Sequence, residues 1–160
     1  MEAERQQEHR WLERLVGEWT SEMEMAMKPG EPPQTFTGTE SVRSLGGLWV
    51  LCEGRGEMPG GGESTTIMTL GYDPAKRRFL GTFIGALSTH MWIYDGELDA
   101  AGDRLTLHTE GPAYPDETRM AKYTDTIEFR GDDHRVLTSR VQDEGGAWRQ
   151  MMEVHYRRTR

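Results

Sequence analysis

The chain of 160 residues is long enough for one domain that buries about 70% of the surface its unfolded form exposes. It carries 19 lysines and arginines against 27 aspartates and glutamates, a formal net charge of −8, and the basic residues are scattered singly or in pairs. Without a basic stripe that could neutralise phosphates, we expect neither nucleic acid nor an anionic membrane surface as a partner.

The cysteine content and the first residues bear on the compartment. Cys52 is the only cysteine, so an internal disulfide is excluded, and the charged N-terminal stretch lacks the apolar core of a signal peptide. No apolar run approaches the roughly 20 residues that a membrane-spanning helix needs. We therefore expect a cytoplasmic protein.

The segment 4–16 predicts a short helix, because its apolar residues recur at helical spacing. This stripe consists of Trp11, Leu12, Leu15 and Val16. Gly17 is expected to end the helix, as glycine commonly does. From Trp19 onward the period changes to two, which predicts a half-buried strand. One face of that strand carries Trp19, Ser21, Met23, Met25 and Met27.

The same alternation recurs between turn-forming sequences along the rest of the chain. Further strands are predicted at 35–45, 48–57, 64–72, 78–84, 89–98, 104–110, 120–130, 134–142 and 147–158. Ten short strands indicate an antiparallel meander, and a meander this long exposes two edges unless it closes. We therefore predict an all-β fold: an antiparallel up-and-down closed barrel of about ten strands, with the helix plugging one end.

This predicted barrel is lipocalin-like and forms a single domain over residues 1–160, with the helix at 4–16 and the barrel at 19–158. Its bore is wide enough for side chains or one small ligand. The tripeptide Gly17-Glu18-Trp19 lies where lipocalin-like barrels place their Gly-x-Trp. In such barrels a late arginine commonly lies across the indole, and Arg157 or Arg158 is placed to make this cation–π contact.

Several long motifs make the similarity more specific than a shared fold. They are E-H-R-W-L-E-R-L-V-G-E-W at 8–19, G-T-E-S-V-R-S-L-G-G-L-W at 38–49, T-L-G-Y-D-P at 69–74, W-I-Y-D-G-E-L-D at 92–99, L-T-L-H-T-E-G-P at 105–112, D-D-H-R-V-L-T-S-R at 132–140 and W-R-Q-M-M-E-V-H-Y-R-R at 148–158. Together they resemble, along nearly the whole chain, one bacterial family of unknown function with a lipocalin-like build. The resemblance implies a calycin-type barrel and brings with it no reaction and no catalytic residue.

The densest stretch of candidate ligand-binding residues is T-H-M-W-I-Y-D-G at 89–96. Alternation places His90, Trp92 and Tyr94 on one face. If that face looks inward, it supplies an aromatic wall with polar tips, as in many small-molecule pockets. Because Met91 and Ile93 make the opposite face bulky as well, the inward face stays open, and the aromatic residues could equally fill or cover the barrel.

On the strand at 120–130, Tyr123 and Asp125 share a face with Ile127 and Phe129, which indicates that Asp125 points inward. A buried carboxylate is costly unless it is paired or hydrogen-bonded, and desolvation raises its pKa. Such a group is a candidate general base, with His90 or Tyr94 in acid–base roles. The alternative, a structural hydrogen-bonded anchor, is favoured.

Other polar residues give weaker signals. Glu40 and Glu53 could face each other across the bore and act on a sugar-like substrate, but nothing in the sequence fixes their separation. The five histidines lack metal-binding spacing. On the last strand, alternation puts Trp148, Gln150, Met152, Val154 and Tyr156 inward. His155 then faces outward, which argues against haem, so no cofactor and no metal is expected.

These observations favour a barrel that binds a small apolar or aromatic molecule without covalent chemistry. The predicted ligand-binding residues are Trp19, Met23, Met25, His90, Trp92, Tyr94, Tyr123, Asp125, Gln150 and Met152. Two alternatives remain open: a structural or partner-binding barrel whose interior is filled, and an isomerase or hydrolase that uses Asp125 with His90 or Tyr94. The sequence also leaves open whether the protein is a monomer or a homodimer.

Overall fold

The computed structural model describes residues 2–28, 30–113 and 116–160. These residues form one helix and ten strands: α1 (Gln7–Glu13), β1 (Gly17–Met25), β2 (Gln34–Leu45), β3 (Trp49–Glu57), β4 (Glu63–Asp73), β5 (Arg78–Gly85), β6 (Trp92–Leu98), β7 (Arg104–Pro112), β8 (Met120–Phe129), β9 (His134–Gln142) and β10 (Trp148–Arg158). Each strand pairs with the next, and β10 pairs with β1. The predicted all-β closed barrel with one short helix is confirmed. None of the described helical residues belongs to a helix long and apolar enough to cross a membrane.

The seam between β1 and β10 fixes which side chains point inward. Trp19 lies opposite Arg158, Met23 opposite Val154, and the pairing is antiparallel throughout. Trp19 is only 1% exposed, whereas the intervening Thr20, Glu22 and Glu24 are exposed. The first strand therefore turns its methionine-bearing face to the interior, as the period-two pattern predicted.

Helix α1 covers one end of the barrel, which we call the closed end. It is shorter than the predicted 4–16. It starts at a capping box in which the backbone N–H of Gln6 donates to Nδ1 of His9 at 2.8 Å. It ends at Glu13, so the prediction that Gly17 ends the helix is wrong: Gly17 is the first residue of β1. Trp11 and Leu12 are buried beneath it, and the Trp11 indole donates to the carbonyl of Gly102 at 2.7 Å. The opposite end, where β1 stops at Met25, is the open end.

Most of the buried apolar side chains pack in one cluster below the helix, which we call the closed-end core. Its buried members are Trp11, Leu12, Leu15, Trp19, Val42, Val50, Cys52, Met68, Leu70, Phe79, Tyr94, Leu105, Leu107, Ile127, Phe129, Leu137 and Val154. All ten strands contribute to it, so this cluster holds the barrel together. Burial of each large apolar side chain contributes about 1.5–3 kcal/mol.

Two details of the strands differ from the predicted pattern. Strand β6 begins at Trp92, and His90 lies in the preceding connection, where its backbone N–H donates to Oγ of Ser88 at 3.2 Å. Strand β10 contains a β-bulge between Gln150 and Met152. A bulge inserts one extra residue and reverses the alternation beyond it, so Gln150 points outward beside exposed Arg140 while Met152 points inward.

Candidate functional site

Trp19 at the closed end is enclosed by two arginines. The guanidinium of Arg158 lies 4.2 Å from the indole centroid, as expected from the Gly-x-Trp motif, and that of Arg135 lies 4.6 Å away. Arg158 also donates to the carbonyls of Val16 at 2.5 Å and Arg14 at 2.8 Å. It thereby joins β10 to the connection that follows α1, and it closes the barrel rather than binding a ligand.

Gly17 permits this closure. Its φ of +141° is unusual for other residues, and a Cβ at this position would overlap the Arg158 guanidinium. The Gly-x-Trp motif is therefore explained by close approach at the closed end.

Arg135, which the sequence analysis did not single out, forms a buried ion pair with Glu40. The two side chains are 3% and 12% exposed, and the Arg135 guanidinium also lies 3.9 Å from the ring centroid of Tyr156. Glu40 thus faces inward, as its neighbours suggested. Glu53 instead faces solvent with its side chain 50% exposed, beside Arg55. The hypothesis that the carboxylates of Glu40 and Glu53 face each other across the bore is wrong.

Cys52 lies in the same region, buried in the closed-end core. Burial and the nearby negative charge of Glu40 raise the pKa of its thiol far above the ordinary range. The thiolate is the nucleophilic form of cysteine, and this thiol stays protonated. Cys52 is therefore a small apolar core residue.

A polar layer crosses the interior above the closed-end core, centred on Asp125. The hydroxyl of Tyr94 donates to Oδ2 of Asp125 at 2.6 Å, and the Ser139 side chain makes a second hydrogen bond to the carboxylate. Burial raises the pKa of Asp125, although these two hydrogen bonds oppose the effect. Burial and the adjacent carboxylate raise the pKa of Tyr94 well above its ordinary value. Tyr94 therefore keeps its hydroxyl proton and is the donor in this hydrogen bond.

Thr109 adds an unsatisfied hydroxyl to this layer. It points inward from β7, between Leu107 and Gly111. Thr109 pairs with Tyr123, and Leu107, the next inward residue on β7, pairs with Asp125. The residue is 8% exposed, and its Oγ1 has no hydrogen-bond partner among the described residues. Leaving a buried hydroxyl unpaired costs about 1–3 kcal/mol. We call Tyr94, Thr109, Asp125 and Ser139 the Asp125 layer.

The Asp125 layer separates two apolar clusters. Beyond it, towards the open end, lies a second cluster of buried residues that we call the open-end cluster: Ala113, Ala121, Tyr123 and Val141, with Trp92 and Met151 packed against them. The separation follows the strands directly. On β8 the inward residues run Tyr123, Asp125, Ile127, and on β9 they run Val141, Ser139, Leu137.

Several inward side chains next to the layer keep partial solvent access. They are Met23, Phe83, Asp125, Met152 and Tyr156. Each points into the barrel by its pairing register, so their exposed surface borders the interior rather than the outside. The partly exposed surface of these side chains lines the inner wall of the barrel, where Met23, Phe83, Met152 and Tyr156 also pack against the closed-end core.

The open end is aromatic. The ring of Trp92 meets those of His90 and Tyr123 edge to face, with centroids 4.8 Å apart in both pairs. Trp92 lies so close to Gly111 that a Cβ there would overlap its ring. The face with Trp92 and Tyr94 is therefore the inward one. His90 lies at the rim, with Nε2 3.0 Å from the carbonyl of Glu110, and its contacts do not include Asp125.

Two grooves of about 560 and 520 Å³ lie on the outer face of β10, β1, β2 and β3. Their walls are mainly outward threonines and charged residues, among them Thr20, Thr37, Thr39 and Arg55. Neither groove contains a residue of the Asp125 layer. Of the predicted ligand-binding residues, only Trp19 borders one of them.

The structure thus brings some of the predicted site residues together and disperses others. Tyr94 and Asp125 lie in the polar layer, Trp92 and Tyr123 at the open end, and Met23, Met25 and Met152 on the inner wall. Trp19 lies in the closed-end core, His90 at the rim and Gln150 outside. Thr109 and Ser139 were missed, although each is a polar residue at an inward position between apolar ones, a signal readable from alternation.

Comparison with known proteins relates this barrel to others. The sequence profile described as "Protein of unknown function (DUF1579)" matches residues 4–158. No curated protein matches the sequence. The crystal structure of Rv2717c from M. tuberculosis superposes with a TM-score of 0.67 at 13% identity, covering 98% of this chain and 100% of the other.

Two further solved structures share the architecture. The S-type phycobiliprotein lyase CPES from Guillardia theta has a TM-score of 0.60 at 14% identity, covering 98% of this chain and 94% of its own. The barrel EF1p2_mFAP2b bound to DFHBI has a TM-score of 0.51 at 12% identity, covering 94% of this chain and 98% of its own. At these identities the likeness shows a common fold.

Proposed function

The chain belongs to the DUF1579 family of proteins of unknown function, and from the interior of its barrel we propose that it binds a small aromatic or largely apolar molecule without covalent chemistry. The site lies between the closed-end core and the open-end cluster, with the Asp125 layer as its polar anchor. Trp92 and Tyr123 form the aromatic wall at the open end.

The observation that carries this proposal is the Asp125 layer, in which the buried Thr109 hydroxyl has no partner and the buried Asp125 carboxylate has no cation. A barrel filled only for stability gains nothing from burying the Thr109 hydroxyl without a partner or from desolvating Asp125. Both costs are offset when a bound molecule supplies hydrogen-bond partners there. Small-molecule sites characteristically combine apolar walls with a few placed polar groups.

The chemistry of the layer favours binding over catalysis. Tyr94 holds its proton tightly, and the Cys52 thiol stays protonated. The acid–base alternative is favoured only by the 2.6 Å contact between Tyr94 and Asp125. The same contact also suits a fixed hydrogen-bonding anchor, since it orients the carboxylate.

The related barrels add support of a general kind. EF1p2_mFAP2b, which has the same architecture, is bound to DFHBI, and CPES is a phycobiliprotein lyase. A cytoplasmic setting is part of the proposal, because the single cysteine is buried and needs no oxidising compartment.

Titration with Nile red, a neutral aromatic probe whose fluorescence rises in apolar surroundings, tests the proposal. Thr109→Leu fills part of the site, so we expect it to weaken probe binding about tenfold, the loss that about 1.4 kcal/mol produces. Thr106→Leu is the matched control, because Thr106 lies on the outer face of the same strand, three residues away. Equal affinities for the two variants, or no binding by the unsubstituted protein, would overturn the proposal.

A further inference from the structure

The carboxylate of Asp125 lies in the barrel without a cation beside it. Its hydrogen-bond donors, Tyr94 and Ser139, are both neutral, and none of the ion pairs among the described residues involves Asp125. A carboxylate offers about four lone-pair sites, of which these two bonds use two. Acceptor capacity therefore remains on the Asp125 carboxylate.

Arg135, the arginine buried in the closed-end core, is not available to neutralise Asp125. Arg135 is ion-paired with Glu40 and held between the rings of Trp19 and Tyr156. That pair balances its own charge within the closed-end core. Among the described residues, Asp125 is the inward carboxylate that has no arginine or lysine as a partner.

Aromatic side chains and an unpaired hydroxyl lie at inward positions near the Asp125 carboxylate. Tyr94 contacts it directly, Tyr123 is the adjacent inward residue on β8, and Trp92 packs on Tyr123. Aromatic rings attract cations through their π faces, most strongly where water is excluded. The Thr109 hydroxyl, still unpaired, can accept a hydrogen bond in the same layer.

We propose that the molecule held in this barrel carries a protonated nitrogen, an ammonium or a cationic N-heterocycle on an apolar or aromatic body, whose N–H groups donate to Asp125 and Thr109. This inference rests on the proposed function and names the ligand class for the same site. The cation supplies the charge that the protein withholds from Asp125. Its apolar body packs, in this proposal, against the inward side chains of Met23, Phe83 and Met152.

Two arginines, Arg119 and Arg149, lie at the open end near Tyr123. Arg119 and Arg149 both lie near enough to Tyr123 to lower the pKa of its phenol, although burial raises that pKa overall. The Arg119 guanidinium lies 3.1 Å from the carboxylate of Glu144. The net charge of −8 favours the approach of a cation to the protein as a whole.

A matched ligand series tests the inference: 2-naphthylmethylammonium, 2-naphthylmethanol and 2-naphthoate, which share a ring system and differ in charge. By calorimetry at pH 7.5 we expect the ammonium to bind about tenfold more tightly than the alcohol, and the carboxylate to bind most weakly. Asp125→Asn should reduce ammonium affinity to that of the alcohol and leave alcohol affinity within about twofold. Asp95→Asn, which removes an outward carboxylate on β6, should leave the preference intact.

The outcomes separate this inference from the proposed function. Equal binding of ammonium and alcohol, tightest binding of the carboxylate, or an ammonium preference that survives in Asp125→Asn overturns the ligand class. If Nile red binds and none of the three naphthyl compounds does, the ligand class falls and the binding site stands. If no probe binds, both fall. The preference in the unsubstituted protein is decisive even if Asp125→Asn fails to fold.

Discussion

Asp125 is a residue whose burial raises its pKa and thereby costs stability, a cost that the proposed ligand would offset. Its neutral partners, Tyr94 and Ser139, orient the carboxylate without compensating its charge. Glu40 is the contrasting case, because its buried carboxylate has Arg135 as a partner. Breaking such a buried pair leaves one charge unpaired and typically costs about 3–5 kcal/mol. The two inward acids thus differ: the charge of Glu40 is balanced by Arg135, whereas Asp125 has only neutral hydrogen-bond partners.

The stability of Asp125→Asn checks this interpretation. The pKa of Asp125 is raised in the folded state. The folded protein therefore keeps the Asp125 proton over a range of pH in which the unfolded chain has lost it. The free energy of unfolding consequently falls as pH rises through that range. Asparagine does not ionise, so Asp125→Asn removes this pH-dependent loss of stability. We expect the variant to be about 0.5–2 kcal/mol more stable at pH 7, with little difference below about pH 4.

Urea unfolding of both proteins at the two pH values measures the difference directly. Acids whose pKa is lowered, such as Asp95 beside Arg78 and Glu128 beside Arg104, titrate equally in both proteins and cancel. A variant that is less stable at pH 7 would show that Asp125 is a structural anchor.

The period-two pattern predicted which single residues point into the barrel. Trp19, Tyr123 and Asp125 were placed inward because apolar neighbours two positions away share their face. Arg135 was missed because a positive charge at an inward position has no partner visible in sequence. Glu40 is 95 residues away along the chain. Such a pair becomes apparent only when the strands are assembled.

At the scale of elements, the β6–β7 pair shows how the open-end cluster is built. Trp92 rests against Gly111 of β7, and Tyr123 of β8 meets the other side of the indole. The Tyr123 hydroxyl donates to the carbonyl of Pro112 at 2.5 Å and holds the end of β7 in place. The position of the aromatic wall therefore depends on a glycine that offers no side chain.

Gly111→Ala tests that dependence. An added Cβ would overlap the Trp92 ring, so the indole must move, and we expect a loss of about 1–3 kcal/mol in stability together with weaker Nile red binding. Gly85→Ala is the matched control on the inner face of β5, where the Cβ would make an ordinary 3.4 Å contact with Thr66. If Gly111→Ala bound the probe normally, Trp92 would not form part of the site.

The elements also show where alternation stops being informative. The pattern predicted ten strands, and all ten exist, but the bulge in β10 placed Gln150 outside instead of inside. Trp148 and Gln150 alternate regularly with Met152 in the sequence, and nothing in their spacing marks the extra residue. The bulge is defined by the pairing with β9, which is a property of two strands together.

At the scale of the whole molecule, closure was predictable and the interior was not. A meander of ten strands avoids exposed edges by closing, and β1 pairs with β10 as this argument requires. Whether a closed barrel is filled depends on the sum of its inward side chains. Inward glycines such as Gly38, Gly54 and Gly56 add no side chain to the interior, so they decide the outcome as much as the large side chains that fill it.

Ligand binding inside a closed barrel stabilises every strand at once, and this gives a prediction for the whole molecule. A ligand at 100 times its Kd adds about 2.7 kcal/mol to the free energy of unfolding. For a chain of this size that corresponds to an increase in Tm of roughly 5–10 °C. We expect saturating 2-naphthylmethylammonium to produce this increase in the unsubstituted protein, measured by calorimetry.

Two variants then locate the bound molecule. Thr109→Leu, inside the barrel, should reduce the increase in Tm at a fixed ligand concentration, because the affinity falls. Thr37→Leu alters the wall of the larger outer groove and should leave the increase unchanged. The opposite result, with Thr37→Leu lowering the shift and Thr109→Leu preserving it, would move the binding site to the outer surface. The unsatisfied hydroxyl of Thr109 would then be a cost of the fold that no ligand offsets.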